Sequence, residues 1–109
     1  MKTSQALDAF SALSHETRLT VFKILIKEGE QGLSAGVIAK QLDVQPSTLT
    51  AHLHILKRAG LIQSTRQQQK ILYSADLQGT RNLLCFLTRE CCQGHPEICA
   101  ELSDSAKVC

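Results

Sequence analysis

Tryptophan is absent from this 109-residue chain, tyrosine occurs once and phenylalanine three times. Hydrophobic residues at 43% and charged residues at 20% are ordinary proportions for one globular domain and argue against a disordered chain. Long apolar runs are missing too: nothing approaches the roughly 20 residues of a membrane span. Met1-Lys2-Thr3 leads into a polar helix rather than a signal peptide. The expectation is a cytoplasmic chain with no membrane partner. Also lacking is a C-x-x-C beside a βαβ pattern, which argues against a thiol-disulfide enzyme and leaves no enzyme signature. The five cysteines are an odd number, and Cys91, Cys92 and Cys99 share one short stretch. A secreted disulfide framework spreads an even number along the chain, so these read as thiols kept reduced.

Carboxylates are missing from one long segment. The net charge is only +2, but from Val44 to Ala75 there is no Asp or Glu, while Lys57, Arg58, Arg66 and Lys70 all lie inside. The tail from Asp76 onward holds Asp76, Glu90, Glu97, Glu101 and Asp104. A surface that faces phosphates needs such a segment, because each misplaced anion repels the backbone it approaches. A solvated basic face has the same composition, and charge alone does not separate the two.

The apolar periodicity predicts a mainly helical chain. Ala6, Leu7, Phe10 and Leu13 recur at helical spacing behind a cap at Thr3 or Ser4. Ser14 caps a second helix, with Leu19, Phe22, Ile24, Leu25 and Ile26 as a wide apolar face ending at Gly29. After a loop from Gly29 to Gly32, Ser34 caps a short helix with Val37, Ile38 and Leu42 inward. A short turn follows, and Pro46 stands where a first helical residue belongs, since its missing N–H costs nothing there. Leu49, Leu53 and Leu56 then mark a buried stripe, and Gly60 ends the helix as a left-handed cap. Two helices joined by so short a turn are a helix-turn-helix.

Beyond Gly60 the period becomes two. Leu61, Ile62 and Thr65 precede Gln67-Gln68-Gln69, and Ile71, Leu72 and Tyr73 follow, which predicts a β-hairpin wing. Its tip lacks the Gly or Asn of a tight turn, so a longer or more mobile loop is expected. Asp76 caps a last helix through Leu77, Leu83, Leu84, Phe86 and Leu87, which Gly94 and Pro96 stop.

On a helical wheel advancing about 100° per residue, Ser47, Ala51, His54 and Arg58 fall opposite Leu49, flanked by Thr48 and Thr50. That face is small, polar and hydrogen-bonding, which suits insertion into a DNA major groove. A plain solvent face would carry more Glu and Lys. Gln45 before the helix, and Arg66 and Lys70 on the wing, complete the candidate DNA-contacting set. His52 flanks the buried stripe, where it either reaches phosphate or orients its neighbours by a hydrogen bond.

Among the cysteines, Cys85 sits in Leu83-Leu84-Cys85-Phe86-Leu87 and reads as a small core residue, and Cys109 as a terminus without a role. Cys91, Cys92 and Cys99 lie beside Glu90, Gln93, His95 and Glu97, surroundings too polar for a core. Three thiolates suit trivalent arsenic or antimony, which needs no fourth ligand. Zinc prefers four and would recruit His95, though adjacent cysteines make a closed tetrahedron awkward. A thiol redox switch is a third possibility.

Taken together, Leu13-Ser14-His15-Glu16-Thr17-Arg18-Leu19, Val37-Ile38-Ala39 with Leu42, Ser47-Thr48-Leu49-Thr50-Ala51-His52-Leu53 and Leu56-Lys57-Arg58-Ala59-Gly60-Leu61-Ile62 resemble the ArsR-type (ArsR/SmtB) winged-helix repressors. Tyr73 before the last helix also fits. The resemblance implies a winged helix-turn-helix, mainly α with a β-hairpin wing, in a single domain spanning residues 1–109. Residues 14–75 would form the winged core, 1–13 and 76–93 the dimerisation helices, and 94–109 a cysteine-bearing tail. It also implies a homodimer through the first and last helices, bound to double-stranded operator DNA with an inverted repeat and released by a metal or metalloid.

The family places its sensing sites differently among members. The segment from Ser34 to Leu42 lacks the cysteines of one arsenic-responsive type, and Asp76 has no His partner before His95 for the zinc-responsive type. Cys91-Cys92 followed by Pro96-Glu97-Ile98-Cys99 resembles the arsenite-sensing variants with C-terminal cysteines. That implies As(III) or Sb(III) as inducer and no organic cofactor. A zinc- or cadmium-responsive repressor, a redox-responsive one, and a thiol enzyme or metal-buffering protein without a DNA role are the alternatives.

Overall fold

The computed structural model describes residues 1–88. In chain order the elements are α1 (Thr3–Leu13), α2 (Glu16–Glu28), β1 (Leu33–Ser34), α3 (Ala35–Leu42), α4 (Pro46–Arg58), β2 (Ile62–Gln67), β3 (Lys70–Ala75) and α5 (Leu77–Phe86). This is a winged helix-turn-helix, with α3 and α4 as the two helices of the motif. The leucine stripe of α4 drives it: Leu49, Leu53 and Leu56 are fully buried and pack with Val21, Leu25, Ile38, Leu61 and Ile62. Each such leucine contributes about 2–3 kcal/mol of burial.

The turn between α3 and α4 is closed by Asp43, which takes a left-handed conformation (φ 53°), with the Val44 N–H donating to Ala39 O. Pro46 is the first helical residue of α4, as its chemistry predicts. At the far end Gly60 has φ +81°, and its N–H donates to Lys57 O while that of Leu61 donates to Leu56 O. That paired closure satisfies two helix-end carbonyls and turns the chain directly into β2.

Several local expectations change. The cap of α2 is His15, whose Nδ1 accepts from the Thr17 N–H at 3.1 Å. Ser14 instead closes α1, its N–H donating to Ser11 O. Neither Thr3 nor Ser4 caps α1; Lys2 is the flanking residue, and the Gln5 side chain accepts its N–H. The sheet has three strands in the order β1-β3-β2, because Leu33 and Ser34 pair with Tyr73 and Leu72. A two-residue strand leaves no period to read. The wing tip is tight: Gln67 pairs with Lys70, and Gln68 takes the left-handed conformation (φ 56°) that the missing Gly would have supplied. Val37 is exposed, since the short α3 turns only Ile38 and Ala39 fully inward.

The largest change is on α1. Its buried face is Ala6, Ala9 and Ala12, whereas Leu7 is 61% exposed and Phe10 lies outward. Small side chains at i, i+3 and i+6 bring the helix close to α2 and α4 and leave its large apolar residues facing away from this chain. Leu77 of α5 is 63% exposed, and Leu19 and Ile26 of α2 are also uncovered. Of the wide apolar face expected on α2 only Leu25 is fully buried, and Val21, outside that set, is the other buried residue of the helix.

Candidate nucleic-acid interface

The outward face of α4 is built by the leucines on its other side. With Leu49, Leu53 and Leu56 held in the core, Ser47, Thr48, Thr50, Ala51 and His54 are all exposed, as is Gln45 at the N-cap. The side chain of Gln45 makes no capping bond and is available to a partner. Thr50 donates its hydroxyl to Pro46 O at 2.9 Å, so toward any ligand it acts as an acceptor or through its methyl group. None of these positions carries a carboxylate, and small residues on the first turns let another surface approach closely.

Arg58 stands apart from that set. It is exposed but lines a cleft with Asp8, Ser11 and Ala12 of α1, eleven positions beyond Ser47. At 1.5 Å per residue that is about 16 Å along the helix, so Arg58 belongs to the α1 end of the face.

The wing positions its two cations by register. Arg66 pairs with Ile71 and Gln67 with Lys70, so Arg66 and Lys70 point to opposite faces of the ribbon. Arg66 shares the face of Ser64, whose hydroxyl accepts from Lys57 Nζ at 2.7 Å. Lys57 thus ties the last turn of α4 to the wing, a role that the carboxylate-free composition did not single out. A ribbon with one cation on each face suits a groove, where phosphates flank it on both sides.

His52 is half-buried and already engaged. Arg18 on α2 donates from Nε to Ala12 O at 2.6 Å, and its Nη1 lies 3.4 Å from His52 Nδ1. Arginine only donates, so Nδ1 of His52 is the acceptor and its proton sits on Nε2. His15 stacks at a tilt on His52, with ring centroids 4.6 Å apart. Burial, with smaller contributions from the His15 and Arg18 charges, lowers the pKa of His52 from its ordinary 6.5. The contact with Arg18 ties His52 to its neighbours, which is one of the two roles open to it. The sequence marks neither Arg18 nor His15 as a site residue; their only signal is that they open α2 beside the turn from α1.

The cysteine triad Cys91, Cys92 and Cys99 lies outside the described residues. Among the described residues no group of three or more His, Cys, Asp or Glu side chains is placed to hold a metal ion. Cys85, the one cysteine among them, is half-buried and disulfide-bonded, which corrects its reading as a reduced core residue. An apolar run on a helix circles every face, and in α5 only Leu83 is fully buried. No helix among the described residues is long and apolar enough to cross a membrane.

Comparison with known proteins agrees with this architecture. A family described as "Helix-turn-helix domain" matches residues 13–65. The HTH-type transcriptional regulator YgaV of Escherichia coli is 32% identical over 88 residues, covering 81% of this chain and 87% of the relative. The transcriptional activator HlyU of Vibrio cholerae is 26% identical over 93 residues, covering 85% and 83%. Among solved structures, an ArsR-like transcriptional regulator from Rhodococcus sp. RHA1 superposes with a TM-score of 0.72 at 25% identity, over 94% of this chain and 93% of that one.

Proposed function

Since the chain belongs to the helix-turn-helix transcriptional regulators of the ArsR/HlyU type, binding DNA and not acting as an enzyme, we propose that it is an arsenic-responsive repressor. In this reading it binds an inverted-repeat operator of an arsenic-resistance operon as a homodimer. It lets go when As(III) or Sb(III) binds Cys91, Cys92 and Cys99.

The observation that carries the DNA half is the face of α4, exposed, small, polar and free of carboxylates from Gln45 to His54. Gln45, Ser47, Thr48, Thr50, Ala51 and His54 read base edges, and Arg66 and Lys70 flank the groove. His52 and Arg58 contribute to the same surface, His52 by setting the height of α4 and Arg58 from its α1 end. The homodimer is supported by α1, which turns its alanines inward and leaves Leu7 and Phe10 outward, and by exposed Leu77 at the start of α5. Two recognition helices so paired would stand about 34 Å apart, one turn of DNA.

The sensing half rests on donor chemistry. Arsenous acid has three exchangeable hydroxyls, and three thiols displace them as three waters, leaving three As–S bonds and no charge to neutralise. No organic cofactor is needed. Couplings of about 1–3 kcal/mol are usual for such linked sites, which corresponds to roughly 5–150-fold weaker operator binding. A redox-responsive repressor of the same fold is the second reading, favoured by the disulfide at Cys85.

Fluorescence anisotropy on an operator selected from random duplexes by the protein itself tests both readings. Reduced protein should release the duplex with arsenite or antimonite and hold it with zinc or cadmium. Release by the thiol oxidant diamide, with none by arsenite, would favour the redox reading instead.

A further inference from the structure

The start of α5 is joined to the end of α4 through backbone. Leu61 donates its N–H to Leu56 O in the last turn of α4, and its own carbonyl accepts the Asp76 N–H at 2.9 Å. Asp76 is the cap of α5, its Oδ1 accepting from the Gly79 N–H at 3.0 Å. Gly79 then lies directly on the carbonyl of Gly60. A Cβ at position 79 would stand 1.8 Å from Gly60 O and 3.0 Å from Gly60 C. The obstacle is backbone held by the α4 closure, not the end of a flexible side chain. Gly79 sits in the first turn of α5 with no positive φ, so the seam and not the local conformation requires glycine there.

We infer that Gly79 is a positioning residue, whose contact with Gly60 carries displacements of α5 to the end of the recognition helix α4. The inference rests on the proposed function, in which the inducer binds beyond the end of α5. Contacts through long side chains absorb a small shift by changing rotamer. Two glycines in backbone contact have no rotamer to change, and Leu61, bonded to both helices, moves with either. A displacement of α5 at this point is therefore a displacement of the helix that carries Ser47 to His54.

Gly79→Ala in the full-length protein is the direct test, because its methyl group forces the seam open without touching a thiol or the outward face of α4. Alanine is the better helix former, so helix propensity alone predicts a neutral or favourable substitution. The variant should bind the selected operator at least about tenfold more weakly than the parent while taking up arsenite in the same stoichiometry. The ratio of operator Kd with and without arsenite should fall toward one. A purely structural role would weaken both states equally and leave that ratio unchanged.

A Gly79→Ala protein that keeps the parent's operator affinity and arsenite ratio would overturn the inference. If the variant does not fold, the amide resonances of Gly60 and Leu61 in the parent decide. They shift on addition of arsenite if the seam carries the signal, and unchanged resonances would overturn it. A parent that binds operator but is indifferent to arsenite would instead sink the proposed ligand. The ratio would then be read with diamide in place of arsenite, and a Gly79→Ala ratio equal to the parent's would overturn the inference.

Discussion

Arg18 Nη1 lies 3.4 Å from Nδ1 of His52 while its Nε donates to the carbonyl of Ala12, so one guanidinium joins α1, α2 and the recognition helix. The fork needs a planar group with donors in two directions. Replacement of Arg18 by alanine should cost about 1–2 kcal/mol of stability and weaken operator binding by loosening α4. Lysine should rescue neither, since one ammonium cannot reach both acceptors. Denaturant unfolding and operator anisotropy on the two variants measure this, and a lysine variant equal to the parent would refute it.

The protonation of His52 gives a pH dependence of defined sign. Its folded pKa lies below the ordinary 6.5, chiefly through burial and then through the neighbouring His15 and Arg18 charges. As pH falls the unfolded chain therefore takes up this proton first. The contribution of neutral His52 is fully present above 6.5 and is lost as pH falls from there through the lower folded value. His52→Gln retains an acceptor for Arg18 and does not titrate. Its stability should fall less than the parent's over that range, which thermal unfolding across pH will show.

The two kinds of DNA contact separate by salt and by sequence. Removal of Arg66 or Lys70 should weaken binding about equally on all duplexes and lower the slope of log K against log salt by about one each. Alanine at Ser47, Thr48 or His54 should leave the slope unchanged and relax the preferred operator sequence. Selection from random duplexes with each variant reads the preference directly.

Leu7→Asp and Phe10→Asp place a charge on the outward face of α1 without entering the alanine face that packs on α2 and α4. Either should convert a dimer to a folded monomer in sedimentation velocity, with operator affinity lost. A variant that stays dimeric would place the interface elsewhere.

Much of the fold was legible because its strongest signals are local. Pro46, the leucine stripe and Gly60 delimit α4, and each acts through its own backbone or its own helix. What escaped depends on partners far along the chain. The two-residue β1 exists only because β3 offers it an edge; the left-handed Gln68 is a nearer case, set by the strand pairing of its own hairpin against the residue's intrinsic preference. The inverted face of α1 escaped for a related reason. Apolar periodicity says that Leu7 and Phe10 are to be covered but not by what, and within one chain the alanines fit closer. The outward face of α4 was legible as a wheel; the Arg18–His52 tie and the Gly60–Gly79 seam were not, since each joins residues remote in sequence. Cys85 shows the same limit, because hydropathy does not register bonding between sulfurs.

The most direct measurement is arsenite release from the operator by the reduced protein and by variants with serine at Cys91, Cys92 and Cys99, singly and together. Each variant should bind the operator as the parent does, and the triple variant should not be displaced by arsenite at any concentration that displaces the parent. A triple-serine protein still released by arsenite would contradict it.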